Sequence, residues 1–239
     1  MEQVILKQIR KELLSNVDLH YKEGSKIVFK EGYNNIGVRL PIVRRIAKKQ
    51  YKEVRDLTKK EIFDFCEELL KTGYHEEALI AFAWSAQLHK QFTLADFSRF
   101  ERWLKKYVIN WALCDDFCTH SLHYFMLQFP QTIPKIKKWT SSKNKWVRRA
   151  AAVSFISSST KYFVRGNLNN VFEVATILLT DSEDMVQKGY GWMLKAASVH
   201  YQKEVFDFVL KNKKDMPRTA LRYAIEHMPK EMKKKAMKR

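Results

Sequence analysis

The sequence predicts an all-α fold in which pairs of helices stack on one another, and three observations support this prediction. Only 7 Gly and 5 Pro occur among 239 residues, too few for a turn-rich β fold. Leu, Ala, Lys, Glu and Phe dominate the composition, which favours helices. Apolar residues recur with helical periodicity along nearly the whole chain, and no segment alternates convincingly in the manner of a β-strand.

The predicted helices follow one another with short connections. Their ends coincide with residues that commonly start or stop helices, namely segment 37–41, Thr58, Thr72-Gly73, Thr93, Pro130, Asp181-Ser182 and Pro217. About a dozen helices of three to four turns are typical of a bundle or an α-solenoid. The predicted ranges are 2–14, 17–31, 41–54, 59–71, 75–89, 94–106, 111–128, 131–140, 144–157, 168–179, 183–198, 202–212 and 216–228.

An internal similarity favours the solenoid. Residues 144–153 align with residues 183–192 at an offset of 39, and each copy has a polar start, then Val, a polar-basic pair and small residues. Weaker relatives of this pattern occur at 76–81 and 218–224. A period near 40 built from two helices matches HEAT repeats. We therefore predict a right-handed α-solenoid of about six HEAT-like pairs over residues 1–229, with a basic concave face and a basic tail over 230–239.

The charge of the chain indicates an anionic partner. Lys and Arg number 44 against 26 Asp and Glu, which gives a net charge of +18 and points to nucleic acid or another anionic surface. The tail supplies +5 of this charge and is either a localisation or membrane-surface signal or, more commonly, a solvated helix end. Basic residues also recur near helix starts, where they would form a phosphate-binding stripe, although each alone is most often solvated surface: Arg39, Arg44, Arg45, Lys143, Lys145, Arg148, Arg149, Lys188, Arg218 and Arg222.

The cysteines indicate a reduced, cytoplasmic protein. Cys66, Cys114 and Cys118 are an odd number, and no signal peptide or membrane-spanning run is visible. Cys114 and Cys118 lie near His120 and His123, but on a regular helix the four side chains point in different directions. We therefore expect buried thiols, with neither a metal site nor a Cys–His nucleophile.

Trp111 and Asp115 are the most informative pair in the sequence. Residues at i and i+4 project from the same face of a helix, so an aromatic surface lies beside a carboxylate on a strongly basic protein. Such a site suits a cationic group held on a polyanion, which makes damaged nucleic acid the first substrate to consider. The alternative is a half-buried Trp beside a capping Asp.

The repeat alignment adds two residues to this pair. Arg149 and Lys188 occupy the same repeat position, and Trp192 stands where the other copy has Val153. Because equivalent helices of a solenoid line one surface, we expect Trp111, Asp115, Arg149 and Trp192 to share a concave wall. The two indoles should flank the Asp115 carboxylate, with all three side chains accessible to solvent and within about 10 to 12 Å of one another. The alternative for Trp192 is core packing.

The segment 157–167 is the longest predicted non-helical stretch. Its basic and aromatic residues could touch a phosphate backbone or stack on a base, or the segment could be an ordinary connection between repeats.

Five motifs resemble the bacterial DNA alkylation-repair family of HEAT-like DNA glycosylases, the AlkD-like proteins. The resemblance runs from about residue 20 to residue 228, in the same order and with similar spacing. The motifs are Asn35-Ile-Gly-Val-Arg-Leu-Pro41, Asn110-Trp-Ala-Leu-Cys-Asp115, Lys145-Trp-Val-Arg-Arg-Ala150, Val186-Gln-Lys-Gly-Tyr-Gly-Trp192 and Met216-Pro-Arg-Thr-Ala-Leu-Arg-Tyr-Ala224.

The resemblance implies excision of N3- or N7-alkylated purines from duplex DNA. It places the catalytic aspartate at Asp115, the active-site tryptophans at Trp111 and Trp192, and the active-site arginine at Arg149, or Arg148 if the register shifts by one. It implies no metal or cofactor, no membrane, no obligate protein partner and a monomeric state. A shallow concave surface is expected to offer no obvious base pocket. The alternatives are a DNA-structure-binding protein without catalysis and a protein–protein scaffold.

Overall fold

All regular structure in the computed structural model is helical over the residues it describes, 2–29, 33–156 and 168–238, which confirms the predicted all-α fold. No helix within these ranges is long and apolar enough to cross a membrane. The helices are α1 (Glu2–Leu14), α2 (Leu19–Val28), α3 (Leu40–Val54), α4 (Lys59–Lys71), α5 (His75–Gln87), α6 (Asp96–Tyr107), α7 (Trp111–Phe117), α8 (His123–Gln128), α9 (Ile133–Lys138), α10 (Lys145–Val153), α11 (Leu168–Ile177), α12 (Asp184–Ser198), α13 (Gln202–Asn212), α14 (Arg218–Ala224) and α15 (Lys230–Met237).

The helices form two compact units, Met1–Tyr124 and Phe125–Arg239. In the first unit α1, α3, α5 and α7 pack side by side in chain order, and α4 packs against α5. In the second unit α10, α12 and α14 pack side by side, and α11 and α13 pack against α12. Alternate helices thus share a layer in each unit, which is the packing of an α-solenoid. A single repeat domain over residues 1–229 stays a prediction.

The register of the predicted repeat agrees with the helix starts. Asn144 and Glu183, the residues equated by the 39-residue offset, are the N-caps of α10 and α12. The next helix of the layer, α14, approaches α12 closely at Gly191. A Cβ atom at this position would lie 2.7 Å from Cβ of Tyr223 and 2.8 Å from the carbonyl oxygen of Ala220. Glycine is therefore required where these two helices meet.

Two predicted segments differ from the structure in detail. The predicted helix 111–128 consists of α7 and α8 joined by a π-helical turn, Cys118–Leu122. The predicted helix 131–140 is the short helix α9 between two 3₁₀ turns.

The proposed tail contains α15, which packs on α13, and Nζ of Lys213 lies 2.7 Å from the carbonyl oxygen of Lys238 at its C-terminal end. The segment 157–167 lies outside the described residues.

A buried carboxylate fixes the chain between α2 and α3. Glu76, in the first turn of α5, is 2% exposed and accepts hydrogen bonds from the backbone N–H groups of Ile36, Gly37 and Val38 at 2.8–3.0 Å. Gly37 has a φ of 101°, which residues with a Cβ atom rarely adopt. Its carbonyl oxygen accepts the N–H of Asp18 at the start of α2. The motif at residues 35–41 therefore links α2 to α5.

We predict that Glu76→Gln lowers the free energy of unfolding by about 2 to 4 kcal/mol, because buried N–H donors lose a charged acceptor. Urea denaturation measures this change. The matched control is Glu68→Gln, which removes an exposed carboxylate paired with Lys71 and should cost less than about 0.5 kcal/mol. Equal losses in the two variants would show that the three hydrogen bonds do not stabilise the fold.

Candidate active site

A cavity of about 650 Å³ opens in the first unit beside Trp111 and Asp115. The expectation that the surface would offer no obvious pocket is therefore wrong. Residues of α2, of the segment that Glu76 binds through its backbone N–H groups, and of α7 all line this cavity. Its lining residues are His20, Tyr21, Gly24, Ser25, Val28, Phe29, Val38, Arg39, Leu40, Arg44, His75, Leu79, Trp111, Ala112, Asp115, Asp116 and Thr119.

The local sequence of α7 presents Trp111 and Asp115 to this cavity. Asn110 is the N-cap, and its side chain accepts the backbone N–H of Leu113 at 2.9 Å, so Trp111 begins the helix. On the other face Phe117 is fully buried, with ring centroids 4.5 Å from Phe82 and 5.7 Å from Phe100. This packing fixes the rotation of α7, so Trp111 and Asp115 share the partly exposed face, as their spacing predicts.

One face of the Trp111 indole is covered by an aromatic residue that the sequence analysis did not single out. The ring of Phe29 stacks on it at 5.3 Å with an interplanar angle of 5°, and Phe29 also stacks on Tyr33 at 4.0 Å. His75 lies 5.5 Å from Phe29, and burial lowers the pKa of His75 to about 4. The imidazole is therefore neutral near pH 7. No spacing in the sequence connects residues 29–33 with α7.

The two adjacent carboxylates have different surroundings. Asp116 forms an ion pair with the guanidinium of Arg44, and its side chain is 8% exposed. Nδ1 of His120 lies 3.6 Å from the Asp116 carboxylate. Asp116 is therefore tied to α3 through a cation, whereas Asp115 lies on the partly exposed face of α7 that also carries Trp111.

The position of Asp115 in its helix sets it apart from its counterparts. Arg149 and Lys188 are each the fifth residue after the N-cap of their helices, α10 and α12. The fifth residue after the N-cap is Arg44 in α3 and Arg222 in α14. In α5 this position holds Leu79, and in α7 it holds Asp115. Among these six helices, only α7 places a carboxylate where four others carry a cation.

The second unit contains the other two predicted active-site residues. Arg149 is only 5% exposed, its guanidinium donates to the carbonyl oxygen of Met185, and its side chain packs against Gly189. It thus joins α10 to α12. Trp192 is partly exposed on α12. Trp111 and Asp115 belong to the first unit and Arg149 and Trp192 to the second, and the convergence of these four residues on one wall stays a prediction.

Many of the predicted DNA-binding cations have ion-pair partners. Exposed pairs, such as those of Arg39 and Lys188, contribute little to stability and can exchange their partner for a phosphate, whereas Asp181 and Asp116, the partners of Arg148 and Arg44, are each only 8% exposed. Arg45, Lys143 and Arg222 are exposed, and the guanidinium of Arg218 lies 3.4 Å from the carbonyl oxygen of Met237. The pairs are Arg39 with Asp18 and Arg44 with Asp116 in the first unit, and Lys145 with Glu183, Arg148 with Asp181, and Lys188 with Asp184 in the second.

The prediction of buried thiols is confirmed. Cys66, Cys114 and Cys118 are all buried and free of disulfides. Burial raises the pKa of the Cys66 thiol well above its usual value. In the described part of the chain, no group of three or more His, Cys, Asp and Glu side chains is arranged to hold a metal ion.

Comparison with known proteins agrees with this fold. A family model described as DNA alkylation repair enzyme matches residues 9–228. A solved structure described as a predicted DNA alkylation repair enzyme from Enterococcus faecalis is 18% identical, with a TM-score of 0.75, covering 88% of this chain and 95% of that one, and it therefore shares the fold. No curated protein shows a significant match. Because the family model spans nearly the whole sequence, the chain belongs to the family of DNA alkylation repair enzymes.

Proposed function

We propose that the protein is a DNA glycosylase that hydrolyses the N-glycosidic bond of cationic N3- or N7-alkylated purines in duplex DNA. One observation carries this proposal: Trp111 and Asp115 line the same cavity in a chain of net charge +18. A carboxylate beside an aromatic ring stabilises a cation, whereas the surplus positive charge attracts the polyanion that carries it.

The chemistry requires little from the protein because the alkylated base is already positively charged. The bond between C1′ of the deoxyribose and the purine nitrogen breaks, and its electron pair neutralises the departing base. Asp115 stabilises the oxocarbenium ion that develops on the sugar and orients a water molecule, whose oxygen bonds to C1′. The proton of this water passes to Asp115 or to solvent. The reaction requires neither a metal nor a cofactor.

The aromatic lining suits the sugar. Trp111 would pack against the deoxyribose and shield the developing cation from bulk water. Phe29 stacks on the indole and limits its movement. His75 is neutral near pH 7 because its pKa is about 4, so it adds no positive charge that would repel an alkylated purine. A second tryptophan, Trp192, would contact the same sugar if the two units bring it to this cavity.

The charge that would hold the duplex is concentrated in the second unit. Residues 125–239 contain 23 of the 44 Lys and Arg residues but only 9 of the 26 Asp and Glu residues, so this unit carries +14 of the net +18. Phosphate contacts dominate the affinity of DNA-binding proteins. We propose that the exposed and paired cations of this unit contribute to these contacts, namely Lys143, Lys145, Arg148, Lys188, Arg218 and Arg222. Arg149 would hold a phosphate near the lesion.

We also propose that the protein acts in the cytoplasm as a monomer.

We predict that Asp115→Asn lowers the rate of excision from methylated duplex DNA by about 10²-fold or more, the scale of a lost electrostatic contact in a transition state. DNA binding should persist or strengthen, because a negative charge is removed. Chromatography of the released bases measures the rate. Asp116→Asn is the control, studied at a temperature where it is folded, and should affect the rate less because Asp116 is paired with Arg44. Unchanged excision by Asp115→Asn would remove Asp115 from the mechanism.

We predict that Gly24→Phe lowers excision at least tenfold, whereas Gly24→Ala leaves it within about twofold. Gly24 lines the cavity from inside α2, and no atom lies within 4 Å of the position of an added Cβ atom. Both substitutions favour the helix, and Ala raises the free energy of unfolding by up to about 1 kcal/mol. Only Phe fills the cavity. Full excision by folded Gly24→Phe would show that the substrate does not use this space.

A further inference from the structure

A second cavity in the first unit, of about 540 Å³, has a lining that contains cations and no carboxylate. It runs along α3 and α5, and we call it the α3 groove. Four of its basic residues come from the sequence of α3 and its C-cap. The lining residues are Arg44, Ala47, Lys48, Tyr51, Lys52, Arg55, Ala83, Trp84, Ala86, Gln87 and His120.

The floor of the groove is apolar and fixed. Trp84 is 1% exposed and donates its indole N–H to the carbonyl oxygen of Ala47 at 2.9 Å, which links α5 to α3. The ring of Tyr51 packs edge-on against Trp84 at 6.0 Å. Ala83 and Ala86 complete a smooth surface. Such a floor suits flat contact with deoxyribose rings, not the hydration shell of a free ion.

The basic residues on the two sides of α3 have different surroundings. On the side facing α1, Lys49 pairs with Glu12 at 3.0 Å. Along the groove, Arg44, Lys48 and Lys52 follow one another at intervals of four residues, and Lys48 and Lys52 are exposed. Arg55 extends the line, with the Asp56 carboxylate 3.7 Å away in an exposed pair that contributes little.

The length of this line favours an extended polyanion over a small anion. From Arg44 to Arg55 the helix rises about 16 Å, at 1.5 Å per residue. One strand of B-DNA carries a phosphate about every 3.4 Å along the duplex axis and winds around that axis, so its phosphates lie farther apart than this rise and the line spans a few of them. A single phosphate ion can contact only one or two of these cations. A concave row of cations also concentrates the field on an extended polyanion.

We propose that the α3 groove binds the sugar–phosphate backbone of one DNA strand and leads it to the cavity at Asp115. Arg44 lines both cavities and pairs with Asp116, the neighbour of Asp115, so the groove and the candidate active site meet at one residue. The inference rests on the proposed function only in taking DNA as the polyanion. It adds Lys48, Lys52 and Arg55 to the interface.

The test compares two triple variants that remove the same charge. Lys48→Gln/Lys52→Gln/Arg55→Gln alters the groove, and Lys60→Gln/Lys71→Gln/Lys105→Gln alters exposed lysines that pair with carboxylates of their own helices. All six positions are exposed, and Gln has a helix propensity close to that of Lys and Arg, so both proteins should fold, which thermal denaturation verifies.

Fluorescence anisotropy with undamaged duplex DNA over a range of salt concentrations gives the slope of log affinity against log salt. We expect the groove variant to lower this slope by two to three, since each lost phosphate contact contributes about 0.9, and the control to lower it by less than one. Equal slopes for the groove variant and the control variant would overturn the inference. Excision plays no part in this measurement, so the result for the α3 groove remains valid even if Asp115→Asn shows that the glycosylase proposal is wrong.

Lysine acetylation followed by mass spectrometry identifies the occupant. Duplex DNA should protect Lys48 and Lys52 from acetylation and leave Lys60 reactive, whereas inorganic phosphate at equal ionic strength should protect none of them. Equal protection by phosphate would mean that the groove is a site for a small anion. Failure of DNA to protect Lys48 and Lys52 would exclude the strand from the groove.

Discussion

The candidate site depends on one buried carboxylate. Glu76 accepts hydrogen bonds from three backbone N–H groups of residues 36–38, and this contact fixes the segment that links α2 to α5. Without Glu76 these buried N–H groups would have no acceptor. A buried donor without a partner lowers the free energy of unfolding by more than a typical hydrogen bond contributes. The cavity wall formed by α2, and the stacking of Phe29 on Trp111, follow from this arrangement. A structural carboxylate thus shapes the surroundings of a candidate catalytic carboxylate.

Charge is used in two ways by this chain. The second unit holds +14 of the net +18, which suits an extended anionic partner. In the first unit, by contrast, α7 carries Asp115 at the helix position where α3, α10, α12 and α14 have a cation. One carboxylate on a basic protein costs some attraction to DNA. In return, the carboxylate stabilises the positive charge that develops on the deoxyribose when an alkylated purine departs.

Helical periodicity and capping residues predicted the fold well, because they act over a few neighbouring residues. The 39-residue repeat located the N-caps Asn144 and Glu183, and the i and i+4 spacing identified the shared face of Trp111 and Asp115. The cavity itself could not be predicted. It depends on contacts between Phe29, Glu76 and Trp111, which are far apart in the sequence and follow no repeat. The burial of Arg149 likewise depends on its packing against Gly189 in the next helix.

The most direct test of this account is incubation of the protein with duplex DNA methylated on its purines, followed by chromatography of the soluble fraction. If the protein is a glycosylase of cationic purines, free N3- and N7-methylated purine bases are released and the sugar–phosphate backbone is left intact. Binding of the methylated duplex without release of any free base would contradict this proposal, and would leave a DNA-binding protein without glycosylase activity.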